Sequence, residues 1–245
     1  MTAPVFVVGR LGGAGEEFVL DGPEGRHAVS VKRLQPGERV VLTDGAGRWA
    51  ECRVTGTEGK DRLIVRIDTM SEEPEESPRI TVVQALPKGD RGELAVETMT
   101  EVGVDAIVPW AASRCITQWK GERGLKALGK WRSTAREAGK QSRRVRFPEV
   151  ADAATTKQVA ALLAEADFAA VLHESGEEPL AAAELPAEGE IVLVVGPEGG
   201  VSPEELAQFR DAGARAYVLG RTVLRTSTAG TAAAALLLGR TGRWS

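Results

Sequence analysis

From Ile80 onward, short apolar runs alternate with helical stretches, and this alternation constrains the fold more than any other feature of the chain. The runs are Ile80 to Leu86, Ala106 to Pro109, Phe168 to Leu172, Ile191 to Val195 and Ala216 to Leu219. Strand, helix and strand in that order imply crossover connections, hence an α/β fold with a mostly parallel sheet. One helix carries its own start and stop chemistry. Ser202 is the N-cap, Pro203 takes the first position, Glu205 closes a capping box, and Gly213 marks the end. Leu206 and Phe209 give it an apolar face. A last helix is expected from about Ser227 to Leu238, stopping at Gly239.

The N-terminal part has a different rhythm. Val5 to Val8, Arg39 to Thr43, Trp49 to Thr55 and Leu63 to Ile67 are β-prone runs separated by turn residues such as Asp44-Gly45-Ala46-Gly47. Short strands so spaced suggest a small barrel or sandwich. Ser71 to Pro78, rich in glutamate and proline, reads as a solvated linker. The expected organisation is therefore a β-barrel domain over 1–72, a linker over 73–79 and an α/β domain over 80–245.

Several function classes fall away. The longest uncharged run, Thr226 to Gly239, is far shorter than the roughly 20 apolar residues of a membrane span. No secretory signal is visible, and two cysteines with two histidines do not make a recognisable zinc site or disulfide framework. A reduced, cytoplasmic protein without metal or membrane is the expectation. Gly9, Gly12, Gly13 and Gly15 follow an apolar strand, but their spacing is wrong for a dinucleotide-binding turn, and a flexible hairpin is expected instead. Gly124 to Lys130 begins like a phosphate-binding loop, yet Trp131 stands where a Ser or Thr would ligate magnesium.

Two glycine-bearing segments remain. Gly196-Pro197-Glu198-Gly199-Gly200 follows one apolar strand, and Leu219-Gly220 through Leu224-Arg225-Thr226 follows another. In a parallel sheet both loops leave the carboxyl ends of their strands, where such folds bind ligands. Glycine admits close backbone approach, and the following helix N-termini offer N–H groups. Two ordinary strand-to-helix turns would look the same. The third feature is charge. The chain as a whole carries −4, but Arg114 to Arg146 holds eleven cations against two carboxylates, a local +9, with Trp119 and Trp131 interleaved. Phosphate neutralisation with aromatic stacking is one use of such a stretch, and a solvated helix face is the other.

At these residues the chain resembles a known family. The segment 196–200 with Ser202 and Glu205, then Leu219-Gly220 with Leu224-Arg225-Thr226 and Thr228-Ala229, is similar to the RsmE family of small-subunit ribosomal RNA uridine N3-methyltransferases. That family belongs to the SPOUT, or trefoil-knot, superfamily. Ala85 to Asp90, Glu101 to Val104, Arg114-Cys115, Trp131, Glu137 through Arg144, and His27 with Val31 and Arg33 extend the likeness along nearly the whole chain. It implies a PUA-like RNA-binding barrel, a knotted methyltransferase domain, a homodimer and S-adenosyl-L-methionine as cofactor. By position, Leu172, His173, Gly196, Gly200, Leu219, Gly220, Leu224, Arg225 and Thr226 would contact that cofactor. Arg225 and Glu198 are the catalytic candidates, as anion stabiliser and as base, though Glu198 also suits a structural carboxylate at a helix start. Arg10, Arg26, His27, Arg33, Arg114, Arg143 and Arg144 are the expected RNA contacts. A ribose 2′-O- or transfer-RNA methyltransferase on the same scaffold, and a non-catalytic ribosome-assembly factor, are the competing readings.

Overall fold

A computed structural model of the chain describes residues 3–244. Its internal packing forms two units that divide between Glu75 and Glu76, except that Gly139–Phe147 groups with the N-terminal unit. Sequence patterning alone assigns that stretch to the second domain, and the fold moves it.

The N-terminal unit holds strands β1 (Val5–Val7), β2 (Glu17–Leu20), β3 (Arg39–Thr43), β4 (Arg48–Glu58) and β5 (Arg62–Glu72). Helix α1 (Gly22–Arg26) runs into a π-helical turn at His27–Val31. The sheet order is β1-β3-β4-β5-β2, with β1 parallel to β3 and every other pair antiparallel. Register shifts between Glu51 and Cys52 and between Val54 and Gly56 interrupt the β4–β5 ladder. Such bulges increase local twist, so the long strands curl around a core that includes Phe6, Leu42, Leu63 and Ile67. This is the expected PUA-like β unit. The expected hairpin at Gly9 to Gly15 does not form. β1 and β2 are opposite edges of the sheet, and the glycine-rich segment crosses between them, held by Gly15 N–H on the Ile67 carbonyl.

Residues 139–147 belong here for specific reasons. The Thr43 hydroxyl donates to the Val145 carbonyl at 2.8 Å, and Arg146 Nη2 donates to the Glu73 carbonyl at 2.7 Å. Lys140 Nζ lies 2.8 Å from Glu24 Oε1, with side-chain exposures of only 5% and 14%. A buried ion pair of this kind is a local anchor, since removing one partner strands the other charge.

The second unit contains β6 (Arg79–Ala85), α2 (Arg91–Val102), β7 (Ala106–Trp110), α3 (Gly121–Gln141), β8 (Glu149–Val150), α4 (Thr156–Glu165) and β9 (Phe168–Leu172). It continues with β10 (Glu178–Pro179), a short 3₁₀ turn at Leu180–Ala182, β11 (Glu190–Val195), α5 (Pro203–Asp211), β12 (Arg215–Val218) and α6 (Thr226–Arg240). All seven strands are parallel, in the order β10-β12-β9-β11-β6-β7-β8. β11 lies between β9 and β6 and is almost wholly buried, which is why Ile191 to Val195 reads as an unbroken apolar run. The five sequence-expected strands are all present. β8 and β10 are two residues each, too short to leave a periodic signal.

β9 and β10 are consecutive in the chain, yet β12 lies between them. Residues 173–177 therefore cross the end of β12. This is the threading of a trefoil-knot fold, which ordinary connection rules disfavour. The crossing is tight: His173 N–H donates to the Tyr217 carbonyl at 3.0 Å, and a Cβ on Gly176 would stand 2.6 Å from the Tyr217 carbonyl carbon.

The predicted capping box at α5 forms in both directions. Ser202 Oγ accepts from Glu205 N–H at 3.2 Å, and Glu205 Oε2 accepts from Ser202 N–H at 3.1 Å. Glu205 does more than cap. It is 5% exposed and also accepts from Ser113 N–H at 2.7 Å, Ser113 Oγ at 2.9 Å and Thr156 Oγ1 at 3.1 Å. It thus joins the starts of α4 and α5 to the segment after β7. Burial pushes its pKa up, but the Ser113 and Ser202 amides and the Ser113 and Thr156 hydroxyls outweigh that and hold it below the usual carboxylate range.

Two outcomes follow for stability. Glu205→Ala leaves buried donors unmatched and is expected to cost about 2–4 kcal/mol in urea unfolding at neutral pH. Because the folded-state pKa is depressed, this contribution is complete above the unfolded value of roughly 4.3. It is lost as pH falls through the folded value, so the gap to wild type narrows on acidification; a pH-independent gap would contradict the assignment. Gly176→Val is expected to destabilise by about 1–3 kcal/mol through overpacking, and an unchanged unfolding midpoint would show that the crossing has slack.

Candidate active site

Parallel strands bring their carboxyl ends to one edge, and three of them meet here. The ends of β9, β11 and β12 deliver Leu172-His173, Gly196 to Gly200 and Leu219 to Thr226 to a single cleft of about 640 Å³. The cleft walls include every residue expected to contact the cofactor, both catalytic candidates and Arg114. Thr226 Oγ1 donates to the Gly196 carbonyl at 3.1 Å, so the two glycine loops are bonded to one another. Gly200 has φ +72°, a conformation glycine adopts without strain, and a Cβ on Gly196 would press to 2.9 Å from Val201 Cγ2. At Gly200 the space a side chain would take is empty and the backbone lies open, whereas Val201 crowds that space at Gly196.

The wall beside the first glycine loop is also stitched. Arg114 Nη1 donates to the Gly199 carbonyl at 3.1 Å, and Glu198 Oε1 accepts from Lys88 N–H at 3.1 Å. Thr117 Oγ1 donates to the Pro87 carbonyl at 2.8 Å. His173 is turned back on its own loop, with Nδ1 2.7 Å from Ser175 Oγ. Arg225 is exposed at the mouth, and its carbonyl accepts the first amides of α6, from Thr228 and Ala229. Arg91, at the start of α2, and Arg221 also line the cleft. Arg221 lies within the second glycine-bearing segment, whereas Arg91 is not marked out by the sequence. Arg91 follows the Pro87-Lys88-Gly89-Asp90 turn, and only the tertiary fold carries that turn to the glycine loops.

The other expected RNA residues are not in this cleft. Arg10, Arg26, His27 and Arg33 belong to the N-terminal unit, as do Arg143 and Arg144. His27 packs edge-on against Phe6 with ring centroids 6.0 Å apart, and Arg144 Nε donates to the Arg146 carbonyl at 2.8 Å. Arg33 and Arg143 are non-glycine residues at positive φ, 55° and 62°.

The basic stretch needs correcting in two respects. Trp131 is 3% exposed, stacked edge-on with Trp119 at 5.0 Å and packed on Gly92, so it is core and cannot stack on a base. Four of the stretch's eleven cations are also met inside the chain. Lys130 pairs with Glu93, Arg132 with Asp152, Lys140 with Glu24 and Arg146 with Glu75. Self-repulsion therefore does not by itself demand an external polyanion. Among the described residues there is no group of three His, Cys, Asp or Glu placed to hold a metal, and no helix long and apolar enough to cross a membrane.

Comparison with known proteins gives this geometry its family. Residues 74–238 match the RNA methyltransferase domain, and residues 20–68 match the RNA methyltransferase PUA domain. The ribosomal RNA small subunit methyltransferase E of Mycobacterium bovis is 44% identical over 248 residues, covering 100% of this chain and 94% of that protein. The Bacillus subtilis protein of the same name is 27% identical over 220 residues, 86% of each chain. Among solved structures, a ribosomal RNA small subunit methyltransferase E from Neisseria gonorrhoeae bound to S-adenosyl methionine superposes with TM-score 0.85 at 31% identity, covering 98% of both chains. A Legionella pneumophila methyltransferase solved with its cofactor S-adenosylmethionine gives 0.87 at 27% identity, again over 98% of both. With its curled N-terminal sheet and its knotted parallel sheet, the chain belongs to the ribosomal RNA small subunit methyltransferase E family of RNA methyltransferases.

Proposed function

We propose that this protein transfers a methyl group from S-adenosylmethionine to N3 of a uridine in small-subunit ribosomal RNA. The observation that carries the reading is the convergence of three strand-end loops on one cleft, with Arg225 and Glu198 at its walls. The site suits the cofactor: at Gly200 and Gly220 nothing stands within 4 Å of where a Cβ would be, which leaves room for a ligand against the backbone, and the Thr226–Gly196 bond ties the two loops together. Leu172, His173, Gly196, Gly200, Leu219, Gly220, Leu224, Arg225 and Thr226 would hold it.

When bound, S-adenosylmethionine supplies an electrophilic methyl group on sulfonium. What remains for the protein is the nucleophile. Uracil N3 bears a proton, and its lone pair becomes available only as that proton leaves. Glu198 is the candidate acceptor; one oxygen takes the Lys88 N–H, and the other has no protein partner among the described residues. Arg225 offers guanidinium donors to the negative charge that develops on the uracil carbonyl oxygens. The rigid cleft aligns the base for in-line attack, which requires an unstacked or single-stranded nucleotide.

The N-terminal unit, with Arg10, Arg26, His27 and Arg33, would hold the RNA away from the chemistry, and Arg143 with Arg144 would add phosphate contacts. The small subunit or its RNA is the partner, and the cytoplasm is the compartment where such a substrate is assembled. A homodimer is the proposed working form. Val223, 85% exposed, and Leu224 form an apolar rim on the 219–226 loop that a second copy would cover.

Nucleoside mass spectrometry of small-subunit RNA from a strain lacking this protein should show one 3-methyluridine missing; loss of a 2′-O-methyl nucleoside instead would overturn the assignment. Arg225→Ala should leave cofactor affinity within a few fold in calorimetry while lowering single-turnover methyl transfer by about 100-fold or more. An unchanged rate removes Arg225 from the chemistry. Replacing Arg143 and Arg144 together should weaken RNA binding and flatten its dependence on salt. Titrations matching wild type at two ionic strengths would assign that turn a purely structural role.

A further inference from the structure

The proposed chemistry uses Arg225 from the loop 219–226 and Glu198 from the loop 196–200. The cleft also has cations that the chemistry does not use, beside the first glycine loop. Arg91 is the first residue of α2 and lines the cleft with Arg114, which comes from the segment after β7. The Arg91 side chain has no ion pair or hydrogen bond to any described residue, although it is half-buried. A guanidinium has five N–H donors in a planar fork, and partial burial without a partner is unfavourable. Arg114 spends one donor on the Gly199 carbonyl and has no acidic partner among the described residues.

Both arginines stand on a rigid base. Gly92, next to Arg91, packs so closely on Trp131 that a Cβ would stand 2.6 Å from the indole ring. The turn preceding Arg91 is pinned by Lys88 N–H on Glu198 and by Thr117 on the Pro87 carbonyl. Arg114 follows Ser113, which Glu205 holds through both its amide and its hydroxyl. Packing and hydrogen bonds thus fix the backbone from which two arginine side chains reach one cleft, and no described carboxylate pairs with them. The carboxylates on the cleft wall are Glu174 and Glu198, and Glu198 is engaged by the Lys88 amide.

We propose that Arg91 and Arg114 form a phosphate clamp that grips the phosphodiester flanking the target nucleotide and so sets how deeply its base enters the cleft. The inference rests on the RNA-methylating function above and adds to it a residue and a ligand group. A phosphodiester presents two non-bridging oxygens to a guanidinium fork, and Arg suits it better than Lys because the fork is planar and preorganised. Arg225 serves the base; Arg91 and Arg114 serve the backbone. Arg91 is therefore a positioning residue whose loss changes substrate engagement more than cofactor binding.

The test uses full-length protein and an RNA hairpin that carries the target uridine, made with either a normal or a methylphosphonate linkage at the flanking position. Arg91→Ala should raise KM for the normal RNA by about 10- to 100-fold, the range for losing a charge-assisted hydrogen bond, with S-adenosylmethionine affinity within twofold. The log–log salt slope of RNA binding should fall by about 0.7, because one phosphate fewer is neutralised. On wild type the neutral linkage should cost a similar factor, and on Arg91→Ala it should cost nothing more. Arg91→Lys should recover part of the loss. The clamp is overturned if the variant and the neutral linkage penalise binding independently, or if S-adenosylmethionine affinity falls together with RNA affinity, which would place Arg91 on the cofactor carboxylate. A wild type that methylates no small-subunit RNA defeats the functional reading itself, whereas an active wild type with an indistinguishable Arg91→Ala defeats only the clamp.

Discussion

The insertion of β12 between β9 and β10 is the constraint from which the cleft follows. Residues 173–177 cross the end of a strand placed there, and its C-terminal continuation emerges beside the end of β9 rather than at a free sheet edge. The loop 219–226 is thereby forced against the loop 196–200, and Thr226 can reach the Gly196 carbonyl. In an unthreaded parallel sheet the same two sequences would make two separate turns. Gly176 is the residue that permits the crossing, because any Cβ there would strike the backbone of Tyr217.

A second layer of order lies behind the cleft. Glu205 gathers four donors from three segments, and its charge is sustained by hydrogen bonds against the cost of burial. The segment it fixes carries Arg114, which in turn holds the Gly199 carbonyl. Cap chemistry at a helix start is thus transmitted to a loop that a cofactor would touch. This arrangement preorganises the site, so that little has to be ordered when ligands arrive.

Charge shows how far a linear reading reaches. The +9 stretch is real, but four of its cations face carboxylates outside it, Trp131 is core and Trp119 packs against it. A helix with an apolar stripe and a basic face looks the same in one dimension as a nucleic-acid platform. Partners such as Glu93 and Glu24 become visible only when the chain is folded.

The sequence by itself determined the elements and their class. Apolar runs at Ile80, Ala106, Phe168, Ile191 and Ala216 became parallel strands, and Ser202-Pro203 with Glu205 became a closed capping box, because both signals are local and their energetics are settled within a few residues. The glycine loops were also legible, since backbone openness is written in the residue type. What only the tertiary structure decided was adjacency: the placement of β12 between β9 and β10, the transfer of 139–147 to the N-terminal unit, the second set of bonds to Glu205, and the arrival of Arg91 and Arg225 in one cleft. Each depends on contacts between residues tens of positions apart. Strand order and loop crossing fix such contacts, and local propensity carries no record of them.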